Sequence, residues 1–492
     1  MGRKSREKKE RREGGHTPIS KLQRQGTNLM SPFSKLPNMK KASWKDERLP
    51  SFLWIGLIIH LNDRLMGIEK VQWICRYFHD KPDELRPKEL TVEAITQMPE
   101  NEIEEFYNYL FNGLSLTEEL KPLLLFESFP KKYLLDKFIS LNEANVNNEL
   151  EKLYSSVANM LGHQSQLATD CRWARVFYLM VTKKADLGPI ARDIFYYPEK
   201  GNISETGGII RAFENSLVGM ECLSGSEPET TEWVQQFWNE SLRISPCWDL
   251  NATTEEVDLT TLTFKNIEKV EAEVKEHFYK SRTTSAIDAK HESSFAFALY
   301  CIDILKELTY ANIQNGIIGR LGLRTIAECY ITLAYLVKKN SDDLWLSYRS
   351  YGSGQAKLAF LKIFELENQP QFISLETLEG LANEDQWQEY SDINLGHWEK
   401  SNLRSMSDFA GVKDVYNRYY DWTSGFAHGQ WSSLRSVEFT VCGNPLHRLH
   451  RIPAENKKLP TVLLDAVELC NKIIELMYEL YPKEQVTLIE TN

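Results

Sequence analysis

Residues 312–338 read NIQNGIIGRLGLRTIAECYITLAYLVK, and this stretch decides the fold class. Ile318, Leu321, Ile326, Tyr330, Leu333 and Val337 clothe a helix nearly all round, which is the pattern of a helix buried among other helices. Arg320, Arg324 and Glu328 follow one another at i, i+4 and i+8. Each step drifts only about 40° around the axis, so the three form one polar row in apolar surroundings. Charges in such a place must be paired or must face a cavity. Arg324 and Glu328 can pair, although with the cation N-terminal, the weaker orientation. Gly316, Gly319 and Gly322 flank the row. Each costs about 1 kcal/mol against Ala in a helix, so the notch they cut has a purpose. It either admits a ligand or lets a second helix approach closely.

A second helix is expected over residues 412–428, VKDVYNRYYDWTSGFAH, with Gly429 as its C-terminal cap. Tyr416, Tyr420, Ser424 and His428 share one face at four-residue spacing. A Ser-His nucleophile needs a third group to orient the imidazole. Asp421 lies seven residues before His428, about 10.5 Å along the axis, and cannot reach it. Serine hydrolase chemistry is therefore not expected from this helix. Since one carboxylate cannot satisfy two guanidinium groups, the arginine row and the tyrosine row are expected to converge in space.

Outward from these helices the chain is predominantly α. The run Phe52 to Ile59 (FLWIGLII) is the longest apolar one, too short to span a membrane and suited to a buried helix. Helical periodicity covers 51–67, 71–78, 103–114, 120–126, 148–164, 171–183 and 232–241. Residues 201–208 and 224–231 are turn-rich and expected to be loops. Ser436 to Cys442 is the best strand candidate. An acidic, Thr-rich stretch at 247–263 marks a cut near 260, giving a helical N-terminal domain over 49–260 and a C-terminal helical bundle over 261–492.

Net charge is -11, which excludes a uniformly basic nucleic-acid binder. Residues 1–48 nevertheless hold fourteen Lys or Arg against five Asp or Glu, a balance of +9 that leaves -20 for the rest. With Gly, Ser and Pro and no periodicity, this segment is expected to be a disordered basic tail, either solubilising or an RNA tether. No secretory signal or membrane span is read, and the eight cysteines, with no CxxC pair, suit reduced, buried thiols in a cytoplasmic protein. Phosphate-loop, dinucleotide, HExxH and GxSxG motifs are absent. His447 and His450 are the one close histidine pair, and without an accompanying Cys or acidic pair they predict no metal; no cofactor is expected.

The row Arg320-x-x-x-Arg324-x-x-x-Glu328, Tyr335-Leu336, the segment Tyr348-Arg349-Ser350-Tyr351, and Tyr416 to Gly429 with its Ser424-Gly-Phe-Ala-His428-Gly429 ending together resemble a prokaryotic domain-of-unknown-function family, number 5677. The resemblance covers roughly residues 285–436 and implies an all-helical bundle without an established activity. That family is similar in pattern to HEPN domains, helical bundles that often act as metal-independent RNases in toxins and phage defence. Their mark, Arg and His separated by four to six residues on one helix, is not met here: nine residues lie between Arg418 and His428, and only Arg11 and His16 in the tail fit. The expected function is binding of an anionic ligand or RNA phosphate in a pocket of the C-terminal bundle. Its candidate residues are Arg320, Arg324, Glu328, Tyr348, Tyr351, Tyr416, Tyr420, Ser424 and His428. Two alternatives stand beside it. One is a HEPN-like RNase effector with His428 as general base and Arg324 stabilising the phosphorane charge. The other is a scaffold held by a buried Arg-Glu bridge, with partner or oligomer contacts through the bundle.

Overall fold

The computed structural model describes residues 22–30, 43–184, 188–202, 204–223, 232–249, 264–384, 392–454 and 457–491. Helices dominate, and the described strands are short pairs: Gln23–Gln25 with Asn28–Met30, and Phe439–Val441 with Arg451–Pro453. Two compact units divide the chain. The first takes residues 1–250 together with 441–452, the second 251–440 together with 453–492. The expected cut near 260 treated each domain as contiguous; the return of 441–452 to the first unit was not visible as a composition shift.

The first unit is built around the helix Leu49–His60, which is buried from Leu49 to Ile59. The apolar run read from the sequence, Phe52 to Ile59, forms most of it. Helices Arg64–His79, Val146–Leu161 and Gln166–Val181 pack against it, and Ser204–Leu223 packs on the last of these. The basic tail read over residues 1–48 is shorter than the sequence suggests, because the first unit already begins at the turn Trp44–Arg48. Trp44 is buried in the core, and its indole N–H donates to the Met160 carbonyl at 2.7 Å. Residues 1–21 and 31–42 of the expected tail lie outside the described residues. The loop expected at 201–208 is likewise corrected, because a helix already begins at Ser204. The loop expected at 224–231 lies outside the described residues.

In the second unit the central helix is Ile317–Lys339, the one quoted at the outset. It is packed by Ala289–Tyr310, Leu403–Ala410, Asp421–Ala427 and Leu463–Leu480. The strand expected at 436–442 begins as helix Trp431–Glu438 and turns extended only at Phe439. Of the cysteines described, five are buried, whereas Cys329 is half-buried and Cys247 exposed, against the expectation of uniform burial. No helix among the described residues is long and apolar enough to cross a membrane.

Trp44 tests where the folded first unit begins. Trp44→Ala should destabilise the protein by about 3–5 kcal/mol, as removal of a fully buried aromatic does. Urea denaturation measures this, and a wild-type midpoint would return residues 43–48 to the tail.

Candidate functional site

In the second unit the two polar rows meet at one point. The Arg324 guanidinium lies over the Tyr420 ring at 4.7 Å, donates to its hydroxyl at 2.9 Å and pairs with Glu328 at 3.0 Å. Its buried Nε makes no hydrogen bond. Tyr420 is brought there by a five-residue π turn, Tyr416–Tyr420, that leads into the helix Asp421–Ala427. Tyr416 packs on Tyr420 with ring centroids 5.1 Å apart. Burial, and then the Asp421 carboxylate, hold the Tyr416 phenol above its usual pKa. Gly429 caps the helix as expected, with φ of 57° and the Gln430 N–H donating to the Gly425 carbonyl at 2.9 Å.

The remaining members of the two rows have other partners. Arg320 is buried, and its donors go to the carbonyls of Gln314 at 3.2 Å, Gly316 at 3.4 Å and Pro460. Burial lowers its pKa. At Gly322 the glycine notch is filled from the helix Ala289–Tyr310: a Cβ there would sit 3.0 Å from Leu308 and 3.2 Å from Ile304. Close helix crossing, rather than a ligand, accounts for that glycine. Tyr348 packs between Phe297 at 5.4 Å and Trp398 at 5.3 Å, its pKa raised by burial first, then by Cys329, Cys301 and Glu328. Tyr351 donates to the Gly396 carbonyl at 3.3 Å. Ser424 is half-buried and His428 exposed; among the described residues no side-chain hydrogen bond joins either to Arg320 or Arg324. Arg418 is an exposed partner of Asp414 at 3.8 Å.

A more strongly polarised site lies in the first unit, where the sequence offered no motif. Ser43, Trp44, Lys45, His163, Gln164, Arg172, Arg211 and Asn215 line a cleft of about 460 Å³. Arg172 is its most deeply buried charged residue. It is 5% exposed, lies over the Trp44 ring at 4.7 Å and reaches Glu214 only at 3.8 Å, leaving its Nε without a hydrogen bond. Glu214 is already engaged by Arg48 at 2.8 Å and Arg175 at 3.1 Å. The bonds of Arg211 go to neutral oxygens, Asn202 Oδ1 at 2.6 Å and Thr169 Oγ1 at 3.2 Å. Burial, and then the positive charge of Arg172, Arg211 and Lys45, keep the His163 pKa below its usual value. The cleft is thus a concave, cation-rich surface whose neutralising carboxylate is shared three ways.

Sequence reasoning also missed two partners of the histidine pair. Cys442 stands five residues before His447, a spacing that was legible, and Cys247 joins from far back in the chain. All four belong to the first unit.

Residues 320–442 match the model of DUF5677, a family of unknown function. No curated protein and no solved structure matches the chain. The match takes in both polar rows of the second unit and ends at Cys442; the cationic cleft lies outside it.

Burial ranks Arg320 above the Arg324–Glu328 pair. Glu328→Gln should cost less than about 1 kcal/mol, because its side chain is 42% exposed and its pair is screened. Arg320→Met should cost more, roughly 1–3 kcal/mol for each carbonyl left buried without a donor. Thermal melts of the two variants measure this, and the reverse ranking would contradict the structural role of Arg320.

Proposed function

We propose that the protein binds a phosphate-bearing small molecule in the cationic cleft of its first unit. The observation that carries this reading is Arg172, a buried guanidinium lining the cleft whose nearest carboxylate is 3.8 Å away and shared with two other arginines. A guanidinium held in the interior with only a distant carboxylate keeps positive charge that is incompletely compensated, and an anion entering the cleft offsets it. Lys45 and Arg211 stand at the walls with no carboxylate of their own among the described residues, so the charge is available for a ligand. Phosphate and sulfate oxygens suit guanidinium geometry. The cleft volume falls in the range of small-molecule sites, roughly 300–1,000 Å³. A body charge of -20 outside residues 1–48 disfavours extended contact with a polynucleotide. A cytoplasmic setting belongs to this reading, since free cysteines stay reduced there.

The mechanism is binding by preorganised charge. Lys45, Arg172 and Arg211 come from three separate elements and are held in place before the ligand arrives. His163 adds a proton-linked contribution. With its pKa depressed it is neutral in the empty cleft at neutral pH, and a neighbouring anion raises that pKa, so binding takes up a proton. Affinity must therefore rise as pH falls through the bound-state pKa, and level off below the free-state one.

Sulfate is the suitable probe because it stays fully ionised while His163 titrates. Calorimetry should show sulfate binding that strengthens as pH is lowered from about 8 to about 6, and His163→Gln should flatten that dependence. Arg211→Gln should weaken binding at least about tenfold, the loss of one charge-assisted hydrogen bond. Sulfate and inorganic phosphate both failing to bind, with the fold intact, would leave the arginines a purely structural network.

A further inference from the structure

Away from the cleft, the first unit gathers two thiols and two imidazoles at one point. The ligand atoms of Cys247, Cys442, His447 and His450 all lie within 4.8 Å of one another. Cys247 Sγ is 3.4 Å from His450 Nε2, and Cys442 Sγ is 3.3 Å from His447 Nδ1. Zinc bound to sulfur at about 2.3 Å and nitrogen at about 2.0 Å in a tetrahedron puts neighbouring ligand atoms roughly 3.3–3.8 Å apart. We propose that Cys247, Cys442, His447 and His450 bind one zinc ion in a closed, structural Cys2His2 site.

The surroundings are built for such an ion. His447 is buried, and its Nε2 lies 3.2 Å from the Ser245 carbonyl and 3.1 Å from the Ser245 hydroxyl. An Nε2–H donated to that carbonyl leaves Nδ1 as a lone pair turned toward Cys442, the outer-shell bond that metal-binding histidines make. Asn444 fixes this support by donating to Ser245 Oγ at 3.0 Å and to the Pro246 carbonyl at 2.7 Å. The Trp248 N–H donates to Cys442 Sγ at 3.4 Å, a contact that favours a thiolate. Backbone bonds lock the two segments: Cys442 N–H to the His450 carbonyl at 2.9 Å, and Gly443 N–H to the Trp248 carbonyl at 2.8 Å. Between the histidines, Arg448 and Leu449 both take positive φ, 53° and 58°. Two bulky residues in the left-handed region are costly, and the tight turn they make aims His447 and His450 at one spot.

A donor set of two sulfurs and two nitrogens selects zinc over the hard cations. With four protein ligands no coordination position is left for a substrate, so the site is structural. On binding, each thiol loses its proton to solvent and coordinates as thiolate, so two protons are released per ion. The ion would clamp segment 441–452 to the chain following the helix Glu232–Ile244. Leu446 in that segment is fully buried in the first unit's core, so the clamp acts on packing as well as on the loop.

The test uses the full-length chain, expressed in a reducing cytoplasm and purified without chelator. Elemental analysis should find one zinc per chain. Cobalt exchanged for it should give the intense visible bands of a tetrahedral site together with thiolate-to-cobalt charge transfer. Cys247→Ser changes an exposed side chain, so it should keep the fold while lowering zinc affinity at least about tenfold. Cys442→Ser should roughly halve the charge-transfer band, one thiolate of two remaining, or, if it does not fold, leave the exposed-residue variant to decide. Protein free of zinc that gives no cobalt bands would overturn the proposal, as would bands unchanged in the double variant Cys247→Ser, His450→Ala. So would a Cys247–Cys442 disulfide found by mass spectrometry in the freshly purified chain.

Discussion

Glu214 is the constraint on which the first unit depends. At 2% exposed it is a carboxylate in the interior, and taking it out of water costs several kcal/mol unless cations compensate. Three arginines do so, Arg48 at 2.8 Å, Arg175 at 3.1 Å and Arg172 at 3.8 Å. They come from the turn Trp44–Arg48 and the helix Gln166–Val181, while Glu214 comes from Ser204–Leu223. The charge group therefore fixes how those elements pack. It also cannot balance itself. Glu89 takes Arg175 Nε at 2.6 Å, but Arg172 is left with a distant half-share of one carboxylate. The positive charge that remains opens onto the cleft with Lys45, His163 and Arg211. The proposed anion site would follow from an interior pairing in which cations outnumber anions.

In the second unit the residues that carry the family motif bind elements together. A π turn accommodates one residue more than an α turn, so Tyr416–Tyr420 rotates the face that strict four-residue spacing would give. Tyr420 is carried onto Arg324, and the Arg324–Glu328–Tyr420 group ties the central helix to its neighbour. Arg320 does comparable work one turn earlier, spending its donors on carbonyls near the start of its own helix and on Pro460. Both arginines thus tie the central helix to its surroundings through carbonyls, a carboxylate and an aromatic face.

What the sequence revealed, and what it concealed, follows from the range of the interactions. Burial with helical period is local, so Leu49–His60 and Ile317–Lys339 were legible from their apolar residues. The meeting of the arginine and tyrosine rows was legible too, because a buried guanidinium must find acceptors. Trp44 was hidden by the basic composition around it, although one indole packed on Arg172 outweighs many neighbouring lysines. Glycines at 207 and 208 read as a loop, yet both lie inside a helix. The role of Arg320 was illegible because backbone carbonyls leave no mark in a side-chain pattern. Cys247 meets His450 across 203 positions, beyond any local signal, whereas Cys442-x-x-x-x-His447-x-x-His450 was present and went unread.

Both sites of the first unit depend on short segments, and one ion pair joins those segments. Arg448, between the two histidines, meets Asp46, between Lys45 and Arg48, at 2.5 Å. Through it, the order of the histidine turn can reach the turn that presents Lys45 to the cleft. Magnitude decides how much. The two side chains are 48% and 38% exposed, and pairs of that kind contribute less than about 1 kcal/mol. A coupling of that size changes anion affinity by less than about fivefold. The cleft instead takes its geometry from the buried Glu214 and the three arginines gathered around it, so charge at the cleft and order at the cysteine-histidine cluster are set by separate parts of the same core.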